Sequence, residues 1–427
     1  MSDIKHAHLY GMREAKYEWL LTHDVDSTDW TKLEPQKPFS LFIPQDNEFL
    51  QEYEKEYSIK DIFSLSNAGM VTARDALTIR NRKDDILKTI IDFSQLSVEE
   101  AQIKYNLCDD TMDWKIHLAQ KDLKESGLSD KKITKILYRP FDILYTYYTG
   151  TSKGFHSRPR IEVMQHMLLG DNLGLITVRQ VAEGIFSHAL VTESIIDNRL
   201  TLSNKGYAQL FPLYLYPNTD NPQQSTTKEQ RRPNFSDEFL TEITNKLGYT
   251  PTPEAIFYYI YAIFHSPTYR TRYAEFLKID FPRVPLTSSD QLFRKLGEYG
   301  EELVALHLMK SPKLDQHLTQ IIDKGGEFVV DAGHPKFLPS PTGRGAGGEG
   351  GEVIINKKGD GFTGIPKSVW NFYVGGYQVC HKWLKDRKGR QLSPEDLNHY
   401  QKIIVSLSET MQIMKAIDAA IPSFPIE

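Results

Sequence analysis

Apolar and polar positions change rhythm several times along the chain, and each change predicts a different kind of structure. Between residues 11 and 21 the apolar positions recur at helical spacing, and a polar turn follows at Asp24-Val-Asp-Ser-Thr-Asp29. The apolar run Phe39-Ser-Leu-Phe-Ile-Pro44 predicts a short strand, and residues 46–57 read as a capped acidic helix. Residues 84–135 carry a helical pattern that starts at Asp84 and is broken near Ser126-Gly127 and Ser129-Asp130.

The texture shifts at 136. Residues 136–148 crowd aromatic and β-branched side chains together and stop at Gly150, which predicts a strand. Further strands are predicted at 173–179, 189–196 and 210–216, separated by turn residues, with a short helix at 161–169. Residues 217–234 are polar and read as a surface loop. Helices follow at 253–264, 269–277 and 297–309; the first carries Ile256, Tyr259, Ile260 and Ile263 on one stripe. Residues 339–352 consist mostly of glycine and proline, cannot bury a core, and read as a linker whose removal leaves the fold intact. A Trp/Tyr-rich segment (368–385), a basic turn (386–390) and a long helix (394–420) close the chain. The expected fold is α+β: a mixed, β-rich module with peripheral helices and a C-terminal helical segment.

Composition narrows the class. The 427 residues are 40% hydrophobic and 25% charged, ordinary values for a soluble globular protein of two or three domains. No run approaches 18 apolar residues, so no membrane partner is expected. The N-terminal residues lack the layout of a signal peptide, and two cysteines, Cys108 and Cys380, cannot build a disulfide scaffold or a four-cysteine metal site. The expected compartment is the cytoplasm.

The net charge of −5 hides an uneven distribution. Residues 131–180 hold eight Lys/Arg against three acids, and residues 353–390 hold eight against two. Two basic islands thus stand on an acidic background, which separates the surface into regions.

Catalytic patterns are weak by comparison. Gly343-x-Gly345-x-x-Gly348 matches a dinucleotide fingerprint but lacks the preceding strand and following helix that the chemistry needs. There is no phosphate loop, nucleophile elbow or His-Glu-x-x-His. A DNA methyltransferase needs a glycine-rich cofactor loop and an Asn-Pro-Pro-Tyr-like loop, and neither occurs. The triplets Glu14-Ala-Lys16, Asp122-Leu-Lys124 and Asp130-Lys-Lys132 resemble nuclease motifs but read as solvated helix surface. Cys380-His381 has no partner pair at zinc spacing and reads as core and rim of the aromatic segment.

The basic islands carry the better candidates. Arg139 opens the first. Ser152-Lys-Gly-Phe-His-Ser-Arg-Pro-Arg160 then places Lys153, Arg158 and Arg160 in a loop that can follow a phosphate backbone and present Arg to a guanine edge. Arg179 beside Gln180 at a strand end pairs the two side chains suited to guanine and adenine. In the second island Lys357, Lys358 and Lys367 precede Trp370 and Tyr373, and Arg387, Lys388 and Arg390 form the basic turn. These fourteen side chains are the candidate DNA-binding set. No catalytic, cofactor-binding or metal residue is assigned.

Several stretches resemble the C-terminal target-recognition region of type ISP and related type IIG single-chain restriction–modification enzymes. They are His6-Ala-His-Leu-Tyr-Gly-Met-Arg-Glu-Ala-Lys-Tyr-Glu-Trp-Leu20, Tyr138-Arg-Pro-Phe-Asp142, Ser157-Arg-Pro-Arg160, Phe211-Pro-Leu-Tyr-Leu-Tyr216, residues 259–285 and Trp370-Asn-Phe-Tyr-Val-Gly-Gly-Tyr377, together with the final helix. The resemblance implies sequence-specific DNA recognition, with residues 1–125 similar to a methyltransferase tail and junction. Residues 126–338 would form the target-recognition core, 339–352 a linker, and 353–427 the closing aromatic and basic segment. It implies double-stranded DNA as partner, with a separate methyltransferase or nuclease chain as a second. S-adenosylmethionine would belong to the missing catalytic part and not to this chain, which reads as a truncated, split or excised specificity half. Two alternatives stay open: an adenine-specific methyltransferase completed by a partner chain, and a protein-interaction subunit.

Overall fold

The computed structural model describes residues 3–35, 40, 42, 48–181, 184–201, 206–217, 230–339 and 350–426. The chain forms two compact units, residues 1–51 and 52–427. In the first, an antiparallel ribbon of Ile4–His6 and Thr31–Leu33 brackets the helix Arg13–Thr22, which buries none of its side chains. Asp24 closes the following turn, its carboxylate accepting from the backbone N–H of Asp26 and Ser27. The strand expected at 39–44 falls largely outside the described residues, and the helix expected at 46–57 is confined to Leu50–Tyr53.

The second unit is built on three four-stranded sheets with helices around them, the α+β class expected from the sequence. Where one strand was expected at 136–148, the chain makes a hairpin, Ile133–Arg139 with Asp142–Tyr147. Pro140 lacks an N–H for the ladder and Phe141 takes the left-handed backbone (φ 61°), so the run folds back on itself. Ile79–Arg80 flanks this hairpin on one side, and Ile195–Ile196 lies parallel to it on the other. The second sheet is antiparallel throughout, in the order Asn67–Ala68, Ala208–Pro212, Gly174–Val178, Leu190–Thr192.

The third sheet was not anticipated. Its order is Gln320–Ile322, Gly361–Pro366, Gly350–Ile354, Lys336–Leu338. Residues 350–352, expected to be linker, are therefore strand; the rest of that stretch, 340–349, with the Gly343–Gly348 pattern, lies outside the described residues. A Cβ on Gly351 would stand 2.7 Å from the Leu338 carbonyl oxygen, so glycine is present here because two strands approach closely. Removal of 350–352 would cut a paired strand.

Helices cover these sheets. Pro253–His265, whose apolar stripe is fully buried, packs on Asp290–His307 and on the long Pro394–Ala420. Contact between the first two depends on Gly300, because any Cβ there would strike the Tyr258 carbonyl. The helix Asp237–Leu247 was missed, although its Ser236 N-cap and left-handed Gly248 are helix boundary signals. One apolar core runs from Met70 through the first two sheets to the third sheet, Trp383 and Leu407. A smaller one joins the helices Lys83–Gln95 and Ile116–Glu125 to Tyr147 and Phe155. The helices of residues 83–125, the last part of the 1–125 segment read as a methyltransferase tail and junction, thus share a core with the hairpin. Asp122, read as solvated surface, is buried and accepts from the Phe155 N–H (2.8 Å) and the Thr149 hydroxyl (2.7 Å).

Two ion pairs are buried in this core, Arg139–Asp197 (2.9 Å) and Arg387–Asp142 (2.6 Å). Arg387 also lies over the Trp383 ring, 3.4 Å from its centroid. Removing one charge of such a pair strands the other in low dielectric. Arg387→Met or Asp142→Leu alone should therefore cost about 3–5 kcal/mol of unfolding free energy, and the double substitution markedly less. Urea denaturation of the three variants checks this; a double-variant loss equal to the two single losses added together would show that the charges do not need each other.

Four histidines are held neutral by burial: His156 and His307 at about 3, His166 and His188 at about 4. Their folded values lie below the ordinary unfolded value near 6.5, so the unfolded chain takes up protons first as pH falls. The stability they contribute is complete above about pH 6.5 and is lost progressively below it. Asp197 and Glu56, raised by burial to about 6 and about 7, act in the opposite sense between about pH 4 and 7, but they are two groups against these four histidines and His265, which burial also holds neutral. The melting temperature should fall steadily from pH 7.5 to 5, and a flat profile would mean that the histidines titrate freely in the fold.

A candidate nucleic-acid interface

The loop 149–160 is rigid because its own side chains turn inward. The Trp114 indole donates to the Phe155 carbonyl (3.2 Å), and the Tyr148 hydroxyl donates to that of Pro159 (3.0 Å). His156 is fully buried, with Nε2 2.9 Å from the Thr146 hydroxyl; burial keeps it neutral, so it cannot serve as a cation in the loop. Arg158 exchanges both backbone hydrogen bonds with Val71. What faces outward is Lys153 and Arg158, both exposed, and the half-buried Arg160 in a left-handed conformation. With Asp113 and Glu162 they line a cavity of about 320 Å³, and Arg158 forms a 3.0 Å ion pair with Asp113 across it.

Arg179 and Gln180 are exposed at the end of the strand Gly174–Val178, as the sequence suggested. Both lean on one loop: Arg179 pairs with Asp280 at 2.9 Å, and the Gln180 amide donates to the Ile279 carbonyl at 3.2 Å. A continuous path of backbone hydrogen bonds connects this strand end to the Arg158 loop. Val178 is paired with Ala208, Ala208 accepts from Gly69, and Asn198 donates to Met70, next to the Val71–Arg158 bridge. The path extends to Tyr373, because Gly375 donates to Ser187 and Gly376 to Thr201. Tyr373 is 48% exposed at this end of the cluster. Sequence reasoning passed over two exposed side chains in the same cluster, Arg199 and Tyr207; the Asp197-Asn198 turn signal just before Arg199 could have marked the first.

The remaining candidates divide. Arg139 and Arg387 are buried in the ion pairs described above and cannot reach DNA, which corrects their assignment. Burial raises the Asp197 carboxyl to about 6 and the Arg139 guanidinium opposes that shift, so the pair is one structural unit. Trp370 is also core: it is 8% exposed and stacks on Phe337 with centroids 5.5 Å apart. Arg390 is committed to Asp396 through two 2.6 Å contacts. Lys357, Lys358, Lys367 and Lys388 are exposed, with Lys358 donating to the Gly325 carbonyl. Lys357 and Lys358 lie in the turn between two strands of the third sheet, Lys367 opens the short helix after that sheet and Lys388 lies in the turn after the next helix, so of the second-island candidates only Tyr373 joins the loop cluster among the described residues. Among the described residues no group of three or more His, Cys, Asp or Glu could hold a metal ion.

Comparison with known proteins gives these loops a context. Sequence comparison with curated proteins finds no match. Solved structures of the same fold include DrdV in a complex with DNA (20% identity, TM-score 0.69), covering 94% of this chain and 42% of that one. They also include a nuclease-deletion mutant of the Type ISP restriction–modification enzyme LlaGI with a DNA substrate mimic (20%, 0.66), covering 98% of this chain and 32% of that one. The ATP-dependent Type ISP enzyme LlaBIII bound to DNA is similar to the same degree (20%, 0.66), covering 93% and 26%. The chain thus spans less than half the length of these proteins. Residues 61–416 match the family model of the Type ISP C-terminal specificity domain, and the chain belongs to that family.

Proposed function

We propose that this chain recognises DNA sequence as the specificity part of a restriction–modification methyltransferase. The observation that carries the reading is the hydrogen-bonded loop cluster, which sets Lys153, Arg158, Arg160, Arg179 and Gln180 on one rigid base. Phosphate contacts would position the duplex, and Arg and Gln side chains at loop tips would reach base edges. The exposed lysines of the third sheet have flexible stems suited to sequence-blind phosphate contact. Methyl transfer, with S-adenosylmethionine as donor, would belong to a catalytic part outside this chain, in the same polypeptide or a partner. Calorimetry with the cofactor tests that division: micromolar binding to this chain would overturn it. The same reading places the protein in the cytoplasm, where the target DNA lies.

Affinity for duplex DNA should fall steeply with salt, since each neutralised phosphate releases about 0.9 counterion. About six contacts give a log–log slope near −5, and a slope shallower than about −2 would leave too few contacts for this cluster.

The ion pairs allow a sharper test. Exposed pairs such as Arg158–Asp113 and Arg179–Asp280 stabilise a protein by no more than about 1 kcal/mol, so their loss leaves the fold intact. Asp113→Asn and Asp280→Asn each release an arginine and remove a carboxylate that repels phosphate. Both should tighten binding several-fold at low salt, with the gain fading as salt rises. Unchanged affinity in both variants, measured by fluorescence anisotropy, would remove these arginines from the interface.

A further inference from the structure

The strongest unassigned feature of the loop cluster is the turn 197–201 and its one outward cation. Asp197 is 3% exposed. Its Oδ1 accepts from the Arg199 N–H (2.9 Å) and from the Arg139 guanidinium (2.9 Å), and its own N–H donates to Leu137 (3.2 Å). Asn198 donates to Met70 and accepts from Ala208, each at 3.0 Å. Leu200 is fully buried, and the Thr201 carbonyl accepts from Gly376 (3.0 Å). Beneath the turn, Gly69 lies so near that a Cβ there would stand 2.6 Å from the Asn198 nitrogen. Every residue around Arg199 is therefore fixed by the core or by backbone partners.

Arg139 is itself held. Its guanidinium lies over the Tyr138 ring at 3.8 Å, and the Tyr138 hydroxyl donates to Asp75 at 2.6 Å. The fixed turn thus extends back through a buried pair to the strand Ile133–Arg139 and the short helix Asp75–Thr78.

The Arg199 side chain differs from its neighbours. Arg158 and Arg179 are engaged by Asp113 and Asp280, whereas the exposed Arg199 guanidinium forms no hydrogen bond or ion pair among the described residues. The backbone that carries Arg199 is already fixed and so loses little further freedom on binding, no ion pair has to be broken first, and the planar fork of the side chain suits an acceptor pair. The major-groove edge of guanine presents such a pair, O6 and N7.

We propose that Arg199 is a specificity-determining residue that reads one guanine in the target, and that Asp197 and Arg139 are positioning residues that aim it. The inference rests on the proposed DNA-recognition function and names the residue that carries one position of it.

The test uses the full chain and a randomised duplex pool. Selection with the unaltered protein defines its preferred sequence, and binding to single-position variants of that duplex measures discrimination. Arg199→Lys keeps the charge and loses the fork. It should bind random duplex nearly as well as the parent while losing roughly tenfold or more discrimination at one G·C position. Arg199→Ala should lose discrimination at the same position and also bind random duplex slightly less well. Gly69→Ala, which pushes on the turn without touching Arg199, should relax the same position. If it fails to fold, Arg199→Lys alone decides. If selection by the parent succeeds and Arg199→Lys discriminates as well as the parent, the inference fails while the proposed function stands. If Arg199→Ala weakens all sequences alike and Arg199→Lys restores them, Arg199 is a phosphate contact and the guanine reading is overturned. If the parent selects no sequence at all, the functional reading falls and this inference falls with it.

Discussion

The four residues from Arg139 to Asp142 form the joint on which the larger unit depends. They close the hairpin in register with each other, and each end of the turn sends a charge to a different part of the molecule. Arg139 reaches Asp197 and so fixes the turn beside the second sheet. Asp142 reaches Arg387 at the end of the Trp-rich segment, and the Phe141 carbonyl faces the His399 Nε2 of the long helix at 2.8 Å. Pro140 and the left-handed Phe141 set the geometry from which these contacts diverge. No member of either ion pair could stay buried alone, because a buried charge needs its partner and its hydrogen bonds to offset the loss of water. Three otherwise distant regions are thus held in one arrangement by a turn of four residues.

That dependence explains why charge density was a poor guide to the binding surface. Arg139 and Arg387 sit inside the two basic islands, and sequence alone gives no reason to separate them from Arg158 or Lys388. Their partners, Asp197 and Asp142, are 58 and 245 residues away, beyond any local signal. Trp370 misled for a related reason: an aromatic side chain among lysines reads equally as a stacking platform or as core, and only the approach of Phe337 decides. What the sequence did carry was local. The long helix begins at Pro394 and ends at Ala420, as the sequence implied, and Lys153, Arg158, Arg179 and Gln180 stand exposed on or beside turns. The third sheet escaped notice because its two outer strands are only three residues long and its two central strands are rich in glycine, which suggested flexibility where Gly351 instead permits two backbones to approach. The pattern of elements was enough for the α+β class, whereas the order of segments and the DNA-recognition role came from the likeness to a known family.

The loop cluster also shows how a surface can be both rigid and made of loops. Loops ordinarily carry the mobile, exposed residues of a fold. Here the 149–160 loop is filled by Phe155 and His156, which are fully buried, and its outward residues hang from that interior. A binding surface built this way loses little conformational freedom on association, so more of each contact appears as affinity.

The acidic setting of these arginines bears on selectivity under the proposed function. A chain with net charge −5 repels a uniform phosphate backbone over most of its surface. Arg158 and Arg179, each already facing a carboxylate, gain little from an arbitrary phosphate, because they exchange one anion for another. A correct sequence offers more, since acceptors at base edges add to the phosphate contacts without requiring either arginine to be newly desolvated alone. The carboxylates therefore weaken every complex, and they weaken the non-specific ones by a larger fraction of what holds them together. Discrimination depends on that difference and not on total affinity.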